Sequence, residues 1–137
     1  MRRADRGNRG HGELIGALVH LMPGMTLDPM PAHLVLAEQL RSKGVDKVAC
    51  IAVNDAFVLD AWGEARGTGD AIEFLADGSA AWAKAVGITA DLTERGLGVR
   101  SGRYAMVVDD GVVKTLNVED APGKADVSGA DNLLKSL

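Results

Sequence analysis

Gly44–Phe57 reads GVDKVACIAVNDAF, and the way this stretch folds decides the rest. Lys47 to Val53 is apolar at almost every position and rich in β-branched residues. A short apolar run of this kind, closed by the polar pair Asn54-Asp55, predicts a strand buried on both faces, as in the centre of an α/β sheet. The side chain of Asn54 or Asp55 can then accept a hydrogen bond from the first free N–H groups of a following helix. That helix is expected over Asn54–Arg66, with Phe57, Val58, Ala61 and Trp62 on its apolar side. Strand, polar turn and amphipathic helix make the first half of a βαβ unit.

Upstream, Leu14–Met22 (LIGALVHLM) has the length of a strand and ends at Pro23-Gly24, a turn signal. It is expected to lie beside Lys47–Val53. Residues 1–13 are basic, Gly-rich and patternless, and are read as a disordered tail ahead of one domain spanning 14–137. Arg2-Arg3 before an apolar run would also suit a targeting segment, but no small-residue cleavage site follows. Thr26–Pro31 holds two prolines and is expected to be a loop. His33–Leu40 repeats apolar residues at helical spacing and is closed by Gly44.

Downstream, Ala71–Ala76 reads as a second parallel strand and Ser79–Val86 as a short helix closed by Gly87. Ile88–Gly102 is expected to be irregular. Tyr104–Asp109 and Val112–Val118 flank Asp110-Gly111, the strongest short-range signal for an antiparallel hairpin. Ser128–Leu137 returns to a helix through Leu133, Leu134 and Leu137. Parallel strands first and an antiparallel pair last predict a mixed sheet covered by helices, a three-layer α/β fold.

The 137 residues suffice for one core without covalent staples. A net charge of −4 without a basic face argues against nucleic acid as a partner. No apolar run approaches the ~20 residues that span a bilayer. A single cysteine excludes an internal disulfide. His11, His20 and His33 lack metal-ligand spacing. Gly96–Gly102 lacks the Gly-Lys-Ser/Thr end of a phosphate loop. Trp62 and Trp82 are expected to be core or interface anchors.

Three segments carry a family resemblance: LRSKGVDKVACIAVNDAFVLDAWG from Leu40, DLTERGLGVRSGRYAMVVDDGVVKTLNVE from Asp91, and PGKADVSGADNLLKSL from Pro122. From Leu40 to Leu137 the chain resembles the type-V subfamily of the peroxiredoxins. The resemblance implies a thioredoxin-like fold and a thiol-dependent peroxidase acting on hydrogen peroxide and alkyl hydroperoxides. It also implies glutathione or thioredoxin/glutaredoxin as reductant, a cytoplasmic location, and no cofactor or metal. Homodimerisation near the active site is implied too, with Asn54–Trp62 and Asp91–Arg103 close to that contact.

The family writes its peroxidatic loop P-G-A-F-T-P-x-C-S-x-x-H-L-P-G-F. Here Pro23–Leu34 reads PGMTLDPMPAHL. Thr26 and His33 keep the motif's spacing when one residue is lost after Gly24, and the cysteine slot then holds Pro29. The Pro-Gly-Phe after His-Leu is missing, and the strands that open the family's chain have no counterpart before Leu14. Among the family's site residues, Arg103 matches the arginine that reaches peroxide and thiolate, and Thr26 matches the threonine that helps ionise the thiol.

Peroxide reduction needs a thiolate to attack the O–O bond and become a sulfenic acid. Proline offers no nucleophile. Cys50, flanked by apolar residues in mid-strand, is read as a core residue, because burial among apolar neighbours disfavours both thiolate and access. Three readings stay open at this point: a peroxiredoxin by descent that is inactive as written, a non-enzymatic redoxin-fold remnant serving as a dimerisation or binding module, and a misread 5′ end (residues 1–39) of a normal peroxiredoxin gene.

Overall fold

The computed structural model describes residues 14–19, 37–121 and 124–137. The expected tail (1–13), the Thr26–Pro31 loop and the first part of the His33–Leu40 helix lie outside the described residues.

Lys47–Ala52 forms β2, and its neighbour β1 is Leu14–Val19. They pair in parallel, Ile15 opposite Lys47 and Val19 opposite Ile51. On the outer side of β2 lies β3, Glu73–Ala76, also parallel. On the other side of β1 comes β6, Tyr104–Asp109, antiparallel, and then β7, Val112–Val118. The order β3-β2-β1-β6-β7 is a mixed five-stranded sheet in which β2 is interior, as its composition predicts, and β1 is the middle strand. The β6–β7 turn is Asp110-Gly111, with φ of 50° and 77°. Positive φ at both central residues gives the turn a twist that matches the flanking strands.

Most helices gather on one face of this sheet. The helical residues 37–42 (α1) bring Ala37 and Leu40 to it. The second helix, α2 (Ala56–Arg66), contributes Leu59 and Trp62, and α4 (Ala130–Lys135) contributes Leu133. They meet Val48, Cys50 and Ala52 of β2 and Ala105 and Val107 of β6. Trp62 and Phe74 of β3 pack edge to face, with ring centroids 5.5 Å apart. Arg41 Nη2 donates to the carbonyls of Asp70 and Ala71, at 3.1 and 2.9 Å, tying α1 to the turn before β3. On the opposite face stands α3, Ala81–Val86. Both oxygens of the buried Asp77 cap it, accepting from Trp82 N and Ala83 N at 3.0 Å each.

The structure corrects the sequence reading in three places. First, α2 starts at Ala56, with Asp55 as the cap that accepts from Val58 N at 2.9 Å. Its buried side is Leu59, Trp62 and Gly63, whereas Phe57, Val58 and Ala61 are exposed. Gly63 favours that side: a Cβ there would meet the Phe74 ring at 3.0 Å, so a larger residue would push the ring or the helix back by a few tenths of an ångström. Second, residues 88–102 are not irregular. Thr89–Leu92 (β4) and Gly98–Ser101 (β5) form a separate antiparallel pair joined by a 3₁₀ turn. Third, Ala71–Ala76 begins as a 3₁₀ turn over Gly69–Ala71, and only Glu73–Ala76 is strand.

Two substitutions in α2 separate its faces. Trp62→Ala should lower unfolding free energy by about 3–5 kcal/mol, since the ring is 6% exposed and packed on Phe74. Phe57→Ala, at a position 87% exposed, should stay within about 0.5 kcal/mol in urea unfolding of the monomeric form.

Candidate functional site

Arg103 lies between β5 and β6, one residue before Tyr104, which pairs with Val19 at the end of β1. It therefore sits beside the carboxyl end of the middle parallel strand, where open α/β sheets place their ligands. Its residue is 3% exposed. The backbone on either side is tightly held. Gly102 N donates to the Ile88 carbonyl at 3.0 Å, and a Cβ at Gly102 would meet Ile88 Cγ2 at 2.9 Å. The Arg103 carbonyl accepts from Glu119 N at 2.9 Å, continuing the β6–β7 ladder by one step. Nearby, the Arg100 guanidinium donates to the carbonyl of Val53, fastening β5 to the end of β2.

Glu119 is the acidic neighbour of Arg103. Its Oε1 accepts three hydrogen bonds: from Val127 N at 2.8 Å, Ser128 N at 2.7 Å and Ser128 Oγ at 2.7 Å. Ser128 is fully buried. Burial opposes ionisation of Glu119, but the Ser128 and Val127 donors, helped by the Arg103 charge, outweigh it and hold the carboxyl below its ordinary range. Arg103 and Glu119 share a cleft of about 240 Å³ with Ile88, Gly102 and Ala121. Composition offers no hint of this carboxylate. Nor does plain counting along the hairpin: outward from Asp110-Gly111 it sets Arg103 opposite Val118, and the one-residue shift between Val107 and Val108 brings Glu119 there instead.

Behind Arg103, Tyr104 is fully buried, and Trp82 Nε1 donates to its hydroxyl at 2.7 Å. Desolvation raises the Tyr104 pKa, the Trp82 hydrogen bond working against it and the Asp77 and Cys50 charges with it. Cys50, the chain's one cysteine, is 0% exposed and packs on the helix-covered face. Thr26, Pro29 and His33 lie outside the described residues, so Arg103 is the one sequence-derived site residue with a described position. Among the described residues, no three His, Cys, Asp or Glu side chains converge as a metal site, and no helix is long and apolar enough to cross a membrane.

The depressed Glu119 pKa has a definite sign. Its stabilisation is complete above the unfolded-state glutamate value and is lost as pH falls through the lower folded-state value. Glu119→Gln keeps an acceptor for Ser128 but removes the charge. It should cost about 1 kcal/mol at pH 7 and flatten the acid limb of a stability–pH curve measured by urea unfolding.

Comparison with known proteins fits this geometry. The redoxin family matches residues 29–134. Peroxiredoxin-2B of Arabidopsis thaliana is 41% identical over 124 residues, covering 90% of this chain and 76% of the relative. The chloroplastic Peroxiredoxin-2E-2 of Oryza sativa subsp. japonica is 48% identical over 111 residues, covering 79% of this chain but 49% of the relative, so the chain spans about half the length of that protein. Among solved structures, reduced Prx3 from Vibrio vulnificus in complex with H2O2 superposes with a TM-score of 0.85 at 44% identity, covering 91% of this chain and 82% of the other. The fold is thus thioredoxin-like, and the chain belongs to the redoxin family and, within it, to the peroxiredoxins.

Proposed function

We propose that this chain is a type-V peroxiredoxin by descent, from thiol peroxidases that reduce hydrogen peroxide and alkyl hydroperoxides, and that it does not itself turn peroxide over. The observation that carries this reading is the state of its only thiol. Cys50 is 0% exposed, between helices and sheet, and cannot reach a peroxide without unfolding the core. The peroxidatic slot, by the motif's spacing, holds Pro29. A relative at 44% identity was solved with H2O2, which supports hydroperoxide as the ancestral substrate class. Arg103 keeps the anion-stabilising place, with Thr26 as its partner in the loop. Glutathione or thioredoxin/glutaredoxin is the reductant of the working ancestor. The chain acts in the cytoplasm, as a redoxin domain over 14–137.

What remains is a binding module. Phe57 is 87% exposed and Val58 41%, at the start of α2 beside the segment that carries Arg103. Two large apolar side chains in water at that position support a homodimer through Asn54–Trp62 and Asp91–Arg103.

Stopped-flow peroxide consumption with glutathione or thioredoxin present should show no rate above a Cys50→Ser control. A rate that depends on Cys50 would overturn the proposal and make Cys50 the nucleophile. Pro29→Cys alone should recover little, because misplacing a reacting group by ~1 Å can cost ~100-fold. Recovery should need the whole family loop, including the Pro-Gly-Phe that is missing after His33-Leu34.

A further inference from the structure

Trp82 is 43% exposed on α3, yet its indole nitrogen turns inward. Its Nε1 donates to the Tyr104 hydroxyl at 2.7 Å, the short end of the range for such bonds. Tyr104 itself is 0% exposed. Backbone fixes both ends of this hydrogen bond. The Asp77 carboxylate accepts from Trp82 N and Ala83 N at 3.0 Å each, and Tyr104 is paired on both sides in β6, with Val19 and with Val118. Tyr104 shares a buried cluster with Met106, and Ile51, Ile88 and Val108 pack against the two. Desolvation raises the Tyr104 pKa, so the hydroxyl keeps its proton at neutral pH. The chain has one tyrosine and two tryptophans, and the other tryptophan, Trp62, is 6% exposed. One readily oxidised ring thus faces water, and its nitrogen is bonded to one that does not.

We propose that Trp82 and Tyr104 form a radical relay, in which a small one-electron oxidant reaching Trp82 leaves its oxidising equivalent on Tyr104. The oxidant takes one electron from the exposed indole. An indole radical cation is a far stronger acid than indole, so the Nε1 proton leaves to water. Nε1 is then a bare acceptor facing the tyrosine oxygen. The hydrogen of a hydroxyl can turn to suit its partner, and the Tyr104 O–H swings onto Nε1. One hydrogen atom, proton and electron together, then crosses the 2.7 Å: the tyrosine O–H breaks and the tryptophan N–H forms again. The sum is one electron to the oxidant, one proton to water and a neutral tyrosyl radical. Transfer runs this way because a phenol gives up a hydrogen atom more readily than an indole does. Burial then shields the product, and the chain holds no second tyrosine for it to couple with. The substrate class is a radical that meets an indole at the surface, such as an oxyl or carbonate radical. The relay needs neither Cys50 nor the slot at Pro29, so it stands apart from peroxide turnover.

Pulse radiolysis of the full chain with azide radicals, which oxidise indoles and phenols by one electron, tests the relay. In the wild type the visible band of a tryptophan radical should decay by a first-order process, independent of protein concentration. The shorter-wavelength band of a tyrosyl radical should grow at the same rate. Because hydrogen moves in that step, the growth should slow in heavy water. Tyr104→Phe removes one oxygen atom and keeps the ring. It should abolish the tyrosyl band and leave the tryptophan radical longer lived. Trp82→Phe should lose most of the early tryptophan signal and the tyrosyl growth with it, and circular dichroism shows whether the variant folds. A wild type whose tryptophan radical disappears without a tyrosyl band overturns the proposal. So does a growth rate unchanged in heavy water, or a tyrosyl band of full size in folded Trp82→Phe, since the oxidant would then reach Tyr104 by another way.

Discussion

An interior strand of a parallel pair must lose water from both its faces, and β2 imposes that constraint on the whole chain. Its residues alternate between the two sides: Val48, Cys50 and Ala52 toward α1, α2 and α4, Ala49 and Ile51 toward the face where α3 stands. On the first side three helices close over the sheet with Leu40, Leu59, Trp62 and Leu133, all within 6% exposure. Cys50 falls on this closed side by parity alone. A thiol there contributes to packing and is withheld from chemistry, and a one-residue change of register would have moved it to the opposite face. The same parity turns Ala49 and Ile51 to the second face, where α3 stands.

The site at the end of β1 depends on a second geometric detail. Between Val107 and Val108 the β6–β7 ladder shifts by one residue. Asp109 faces Val112 beyond the shift, and Tyr104 faces Val118 before it. Without that bulge Arg103 would lie opposite Val118. With it, the arginine meets Glu119, whose carboxylate is already fixed by Ser128 and Val127. A buried cation thus stands beside a locked carboxylate at the end of β1.

Much of this was legible in the sequence because the signals were local. The apolar run Lys47–Val53, the Asp110-Gly111 turn and the closing leucines each specify their element with few competing choices. The apolar side of α2 was misread because Phe57 and Val58 look like core residues, while the helix is in fact oriented by a glycine. Gly63 admits the Phe74 ring, and Leu59 and Trp62 follow it inward. The β4–β5 pair was missed because four-residue strands with mostly exposed or half-exposed side chains carry too short an alternation to read. Glu119 was missed because its partner is set by a bulge, which has no residue signature of its own. Arg103 was found through the family motif; a lone arginine before a strand says little by itself.

The central claim is that the only thiol is sealed in the core of a peroxiredoxin fold. Titration of the native chain with a disulfide reagent such as 5,5′-dithiobis(2-nitrobenzoate) tests it most directly. Cys50 should release no thionitrobenzoate over many minutes in native buffer and one full equivalent at once in guanidinium chloride. Prompt stoichiometric reaction of the folded protein would contradict the account, because it would give peroxide the same access to the thiol.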